Sequence, residues 1–353
     1  MKRINRGLIG ALAVVSVALS VAACGTVGGG SAAANSGTTS SAAANSGTSA
    51  SGTSIAIAGV YGNSADPFWT TLGCGARQEA ASLGVKYQGF ASTTLDTSAF
   101  SQNFSSAQLM KPNGIFVNPA NPNQFITQYK TLMSQGVPVV TINSSSPPSQ
   151  YKVVGTDVKN LPFLDQVAGL VPASSGSGSL VVVNGIPGLV PVQVRLDPVV
   201  KAVTSAHPGL TMLPTIYSGF DVNKATSAVS TLLISHPDLK VIVAADGPDG
   251  QAAAAAVQQA GKSGKVTVIA LDATPAEVAA LKAGTITGLV AQSPLQIGEQ
   301  QVKTLVDYLK AHPSGGAVAI SPVAVGVAQH LLTQSNINDP ASSAWIYKTS
   351  CSS

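Results

Sequence analysis

Carboxylates, amides and aromatic rings recur in this 353-residue chain at one kind of place, directly after a short apolar run. The positions are residues 61–69 (with Asp66, Phe68 and Trp69), Asn118, Asn143, residues 184–188, residues 218–221 (with Phe220), Asp246, Asp272 and Gln292. Only 10% of the chain is charged and 5% aromatic, so the concentration is selective. Carboxylates and amides grip hydroxyl groups, and aromatic faces stack on the apolar face of a ring, which suits a small polar ligand such as a sugar. Bond-breaking chemistry has no comparable signature. There is no Gly-x-Ser-x-Gly elbow, Walker loop or zinc-protease motif. Asp66 and Asp272 can be pictured as the paired carboxylates of a glycan hydrolase, but nothing in the chain requires it, and no enzyme is expected. His207, His236 and His312 each precede a proline near an expected helix end, where a histidine suits the negative pole of the helix. His330 stands alone, and no pair has metal-ligand spacing, so neither metal nor cofactor is expected.

The elements that must position these residues follow from periodicity. Apolar, β-branched runs at residues 55–60, 85–91, 114–118 and 137–143 alternate with helical patterns at 67–83, 98–110 and 122–135. The pattern restarts with strands at 180–184, 210–216, 241–245, 266–271 and 288–292, and helices at 190–206, 222–235, 250–260, 275–283 and 294–311. A further β-type run occupies 318–327. Continuous apolar strands separated by helices of about a dozen residues indicate βαβ units with buried parallel sheets. The predicted class is α/β, with two similar lobes, each a parallel sheet covered by helices. In such sheets ligands bind beyond the carboxyl ends of the strands, which is where the recognition residues stand.

The first 53 residues belong to another category. Lys2, Arg3 and Arg6, an apolar stretch over 7–20 and Val21-Ala22-Ala23-Cys24 read as a secretory signal over 1–23, with an ending similar to a bacterial lipobox. Cys24 is then the expected lipidation site. Residues 24–53, with SAAANSGT at 31–38 and again at 41–48, are expected to be a flexible tether holding the body on the order of 30 Å from the lipid. The net charge of +4 is spread thinly without a basic run, so nucleic acid is not an expected partner. Three cysteines are present. With Cys24 lipidated, Cys74 and Cys351 remain, and an even remainder in an exported chain suggests a disulfide, with two unrelated free thiols as the alternative. The loop-entropy model gives such a bridge at most on the order of 5 kcal/mol.

Five segments in register carry a family resemblance. They are Val60-Tyr61-Gly62-Asn63-Ser64-Ala65-Asp66-Pro67-Phe68-Trp69, Gly185-Ile186-Pro187-Gly188, Phe220-Asp221, Leu271-Asp272-Ala273-Thr274-Pro275 and Ala291-Gln292-Ser293-Pro294-Leu295-Gln296-Ile297-Gly298. Over residues 54 to about 327 the chain resembles ribose-type periplasmic sugar-binding proteins. The resemblance implies a type I periplasmic binding fold, with one lobe at 54–156 and 293–318 and the other at 157–292 and 319–330. A C-terminal extension covers 331–353. The three hinge crossings would fall near 155–157, 292–293 and 314–321, and closure of the hinge would trap the ligand.

By the same resemblance, Phe68 and Trp69 match aromatics that sandwich a sugar from the first lobe, and Phe220 matches one on the second. Asp272 matches a carboxylate that accepts two ligand hydroxyls, and Gln292 an amide that donates and accepts. Removing the Asp272 carboxylate is therefore expected to abolish binding with little change in the stability of the empty protein. Asp66 either binds a hydroxyl or caps the helix starting at Pro67, and Asp246 either binds ligand or caps the helix after it. The chain departs from the pattern at three places. Asn143-Ser144 stands for an Asp-Arg pair, Gln193 for a ligand-binding arginine (with Arg195 two positions on), and Ala245-Asp246 for Asn-Asp. These changes favour another sugar, a polyol or a less hydroxylated molecule over ribose. The expected function is a monomeric, lipid-anchored, extracytoplasmic binding protein that delivers its ligand to the permease of an ABC importer. The alternative is a sensor of the same fold that signals to a membrane receptor or kinase.

Overall fold

Runs of β-branched residues that bury both faces, alternating with helices that bury one, build two parallel sheets with helices on each side. The structure is a computed structural model and describes residues 54–93, 96–119, 121–142, 147–175 and 177–351. The signal, Cys24, the tether and Asn143 lie outside the described residues. In chain order the first elements are β1 (Ala56–Tyr61), α1 (Pro67–Ser82), β2 (Lys86–Ala91), α2 (Thr97–Leu109), β3 (Gly114–Val117), α3 (Ile126–Ser134), β4 (Val139–Thr141) and β5 (Lys152–Thr156). Next come α4 (Leu164–Ala168), β6 (Ser177–Asn184), α5 (Val190–Ala206), β7 (Gly209–Met212), β8 (Ile216–Tyr217), α6 (Val222–Ser235) and β9 (Leu239–Ala244). The chain continues with α7 (Gly247–Gln259), β10 (Thr267–Leu271), α8 (Pro275–Lys282), β11 (Gly288–Ala291), α9 (Pro294–Ala311), β12 (Val323–Val327) and β13 (His330–Leu332).

The first sheet has the order β12-β5-β4-β3-β1-β2 and is parallel throughout. The second runs β13-β11-β10-β9-β6-β7, with β8 also on β6, and only β13 is antiparallel. Each sheet has a core on both faces. In the first lobe Ile57, Phe116 and Val140 meet Leu72, Ile297 and Leu305, while Ala58, Ile115 and Val117 meet Phe100, Phe104 and Tyr129. In the second, Ile242, Ala244 and Val268 meet Val229, Ala253 and Leu281, while Val243, Ile269 and Leu271 meet Leu196, Val199 and Val203. Helices α1 and α9 cross backbone to backbone. A Cβ on Gly75 would fall 1.9 Å from the Leu295 carbonyl oxygen, and one on Gly298 would fall 2.0 Å from that of Leu72. Glycine is therefore required on both sides of that crossing.

The two-lobe α/β architecture agrees with the sequence expectation, but the third hinge crossing does not. Residues 323–327 do not enter the second lobe. They form β12, which pairs with β5 in the first sheet from Val323 with Lys152 to Val327 with Thr156. The crossing therefore falls at Ala328 and Gln329 rather than in 314–321, and β13 then joins the second sheet. The physical reason is a missing partner. β5, carrying Lys152 at its start, gave no clear apolar run, so β12 had no visible neighbour in the first lobe. The extension does not simply trail away either. After β13 and a short 3₁₀ turn (Pro340–Trp345) it returns across both lobes. Ser293 Oγ donates to the Ala344 carbonyl (2.7 Å), and the Tyr347 N–H to that of Ala273 (3.0 Å). The Lys348 N–H donates to Thr71 Oγ1 (2.6 Å), and Cys351 forms a disulfide with Cys74 in α1.

Candidate functional site

The strand ends of the second lobe assemble the polar half of the site around Asp272, which follows β10. Its carboxylate Oδ1 accepts from Arg195 Nη2 (2.8 Å), Gln292 Nε2 (2.9 Å) and the Tyr347 hydroxyl (2.9 Å). Arg195 is 6% exposed and Asp272 13%, so the ion pair is largely out of water. The backbone at Asp272 has φ 102°, a left-handed conformation rare for a side chain with a Cβ. Such an outlier persists only where surrounding contacts hold it, and these three donors do so. Gln292 also accepts from Thr156 Oγ1 (2.5 Å), and Gln329 Nε2 donates to the Asp157 carbonyl (2.8 Å). The first hinge crossing is thus hydrogen-bonded to each of the other two beside the site.

This geometry bears on two expectations. Gln193 does not stand with Asp272. Its side chain turns to Asp197 and lines a surface cavity of about 440 Å³ with Val200, Lys201 and Met212. Arg195 reaches Asp272 instead, because two helical positions are about 200° apart around the axis. Nor is the Asp272 carboxylate free of structural duty, since removing it would leave a buried guanidinium without its counter-charge.

The first lobe contributes the start of α1. Asp66 caps that helix by accepting from the Phe68 N–H (2.9 Å). Burial, and then the negative charge of Asp272 from the other lobe, push its pKa up to about 6 against the pull of that N–H. The cap does not exhaust the carboxylate, and Asp66 lies within electrostatic reach of Asp272. Phe68 meets Trp69 edge to face with ring centres 4.8 Å apart. The Trp69 indole lies over Gly62, where a Cβ would come within 2.7 Å of the ring. Phe68 packs against the cores of both lobes and meets the Tyr347 ring at 5.9 Å.

Two further second-lobe residues adjoin the group. Phe220 also has a positive φ (63°), and its ring fills the space over Gly185, so the Gly185-Ile186-Pro187-Gly188 turn and Phe220 form one surface. Asp246 caps α7 by accepting from the Asp249 N–H (3.1 Å). Burial and the neighbouring Asp249 charge raise its pKa to about 8, with Asp272 adding to the effect. Glu277, fully buried in the capping box of α8, is likewise pushed up by burial and by Asp272. The sequence reading missed Arg195 as the partner of Asp272 and missed Tyr347 altogether. Arg195 was within reach once α5 was phased from its start at Val190. Tyr347 had no signal, since it comes from a segment with no strand or motif beside it.

Known proteins resemble this chain in sequence and in fold. The D-allose-binding periplasmic protein of Escherichia coli (strain K12) is 27% identical over 256 residues, 70% of this chain and 82% of that protein. The ribose import binding protein of the same organism is 28% identical over 264 residues, 72% of this chain and 84% of that protein. Among solved structures, an ABC transporter solute-binding protein from Agrobacterium vitis bound with α-D-tagatopyranose is 26% identical. It spans 83% of this chain and 99% of its own, with a TM-score of 0.69. Another, from Burkholderia graminis C4D1M in complex with D-arabinose, is also 26% identical and spans 81% of this chain, with a TM-score of 0.67. The model of the periplasmic binding protein domain matches residues 57–313, a span that includes parts of both lobes, and the chain belongs to that family.

Proposed function

We propose that this protein captures a small sugar-like solute between its lobes, outside the cytoplasm, and presents it to the permease of an ABC importer. One observation carries the reading. Asp272 and Gln292 at the strand ends of one lobe, with Arg195 from α5, face Asp66 and Phe68 at the first helix of the other, closely enough for the Asp272 charge to raise the Asp66 pKa. Ligand hydroxyls would be held by Asp272, Gln292, Asp66 and Arg195, with Asp246 nearby, and ring faces by Phe68, Trp69 and Phe220. Hydrogen bonds to charged groups contribute about 1.5–3 kcal/mol each, so the carboxylates dominate affinity. The relatives named for ribose import support delivery over signalling. Lipidation at Cys24 would keep the protein, acting as a monomer, beside its permease.

Mass spectrometry of solute co-purifying with the protein, followed by calorimetric titration of a panel of sugars and polyols, tests the reading. One ligand bound per chain and released chemically unchanged is expected. A panel that neither binds nor shifts the melting temperature sinks it, and a sugar returned chemically altered points to an enzyme instead.

A further inference from the structure

We propose that Thr156 and Gln329 are positioning residues in one hydrogen-bonded ring that couples the Asp272 carboxylate to closure of the hinge. The inference rests on the reading above that Asp272 holds the sugar, and neither Thr156 nor Gln329 is among the residues proposed to touch it. The ring can be followed atom by atom. On one side Asp272 Oδ1 accepts from Gln292 Nε2 (2.9 Å), and Gln292 Oε1 accepts from the Thr156 hydroxyl (2.5 Å). On the other side Asp272 Oδ1 accepts from Arg195 Nη2 (2.8 Å), and Arg195 Nε reaches Gln329 Oε1 at a longer 3.5 Å. Gln329 Nε2 then donates to the Asp157 carbonyl (2.8 Å). Thr156 and Asp157 are neighbours in the chain, so the two arms close on each other. The ring therefore takes in all three hinge crossings, at residues 156–157, 292 and 329.

A side-chain amide has a donor end and an acceptor end, and the first crossing sets which way each glutamine faces. The Thr156 hydroxyl occupies the Gln292 oxygen, which leaves the Gln292 N–H for the carboxylate. Reversed, that amide would set its oxygen against a negative charge. The Asp157 carbonyl occupies the Gln329 nitrogen, which leaves the Gln329 oxygen for the guanidinium. Gln292 and Gln329 are both buried, so a partner lost from the ring is costly to replace. Rotation of the lobes shifts the crossings against one another, and directional bonds of this length do not stretch to follow. The donors around Asp272 are therefore oriented together only in the arrangement that closes the ring. A ligand moves a hinge only through its different affinity for the two states, and the ring supplies that difference.

The test is calorimetric titration of the protein with D-ribose, D-allose, D-tagatose and D-arabinose, repeated on Thr156→Val, Thr156→Ser, Gln329→Leu and the Thr156→Val, Gln329→Leu double variant. Thr156→Val and Gln329→Leu should each weaken binding roughly 5- to 150-fold, and Thr156→Ser, which keeps the hydroxyl, should restore it. The double variant should bind about as well as the weaker single one, because either change already opens the ring, whereas two independent supports would multiply their losses. Stopped-flow measurement should place the loss in faster release with association little changed, since the sugar enters before the ring closes. Near-ultraviolet circular dichroism reports whether each variant is folded, and Gln329→Met carries the same expectation if Gln329→Leu is not. Losses that multiply, a loss confined to association, or Thr156→Ser behaving like Thr156→Val overturns the coupling and leaves the binding function standing. If no form of the protein binds any of the four sugars, the sugar-binding reading falls and this inference falls with it.

Discussion

The first lobe offers the cleft one helix start, where Asp66 caps α1 and Phe68 and Trp69 follow it within three residues. The second lobe offers four separate pieces: Asp272 after β10, Gln292 after β11, Arg195 inside α5 and Phe220 before α6. One half is therefore a local motif that any chain folding its first helix produces. The other half exists only when several strands and helices have assembled, and it holds two side chains at positive φ and a buried ion pair. Aromatic contact is robust to small displacements, whereas hydrogen bonds to a carboxylate are not. The lobe carrying the directional contacts is accordingly the one braced by partners on every side.

The largest effect should come from the braced half. Asp272→Ala strands the buried Arg195 and should lower stability by about 3–5 kcal/mol, seen as a reduced denaturation midpoint in urea. The same change should cost at least roughly 100-fold in sugar affinity. A melting temperature equal to that of the unaltered protein would show that the ion pair is not what braces this half. Next is the tie between the lobes. Replacing Cys74 and Cys351 together by serine should lower stability by about 2–5 kcal/mol, seen as a lower melting temperature.

Titration of buried carboxylates separates the lobes further. Asp246, raised to about 8, and Asp66, raised to about 6, both favour the protonated form when folded. Each therefore contributes stability that is complete below the ordinary value of 3.8. That contribution is lost as pH rises, up to about 8 for Asp246 and about 6 for Asp66. The melting temperature of the unaltered protein relative to its Asp246→Asn variant should fall steadily between about pH 4 and pH 8. Relative to Asp66→Asn it should level off near pH 6. Parallel curves for the two variants would erase the distinction. A smaller effect is expected for Asp66→Ala, which removes the α1 cap and should cost about 1 kcal/mol in chemical denaturation. The smallest belongs to Gln193→Ala. It should change stability by no more than about 0.5 kcal/mol and leave the sugar titration unaltered, because Gln193 bonds to Asp197 and makes no bond to Asp272.

Much of the site was legible because strand ends, caps and aromatic positions are local. Asp66, Asp221 and Asp246 each stand where a helix begins, and each accepts from backbone N–H groups there. For Asp66 and Asp246 that double capacity, cap and ligand contact, could be weighed from neighbouring residues alone. The choice between Gln193 and Arg195 needed the phase of α5, which a shift of two residues reverses. The placement of β12 needed β5, a strand whose first residue is charged and whose partners are remote in sequence.

The amino-acid sequence by itself determined the α/β class, the two-lobed division, the helix starts that carry Asp66 and Asp246, and the aromatic pair at Phe68 and Trp69. All of these follow from residues a few positions apart. Only the tertiary structure decided that Arg195 pairs with Asp272 across 77 positions, that Gln329 and Thr156 link the hinge crossings, and that Tyr347 reaches the site from the tail. Local periodicity specifies which face of an element is buried. It carries no record of which distant segment will supply the hydrogen bond that a buried carboxylate requires.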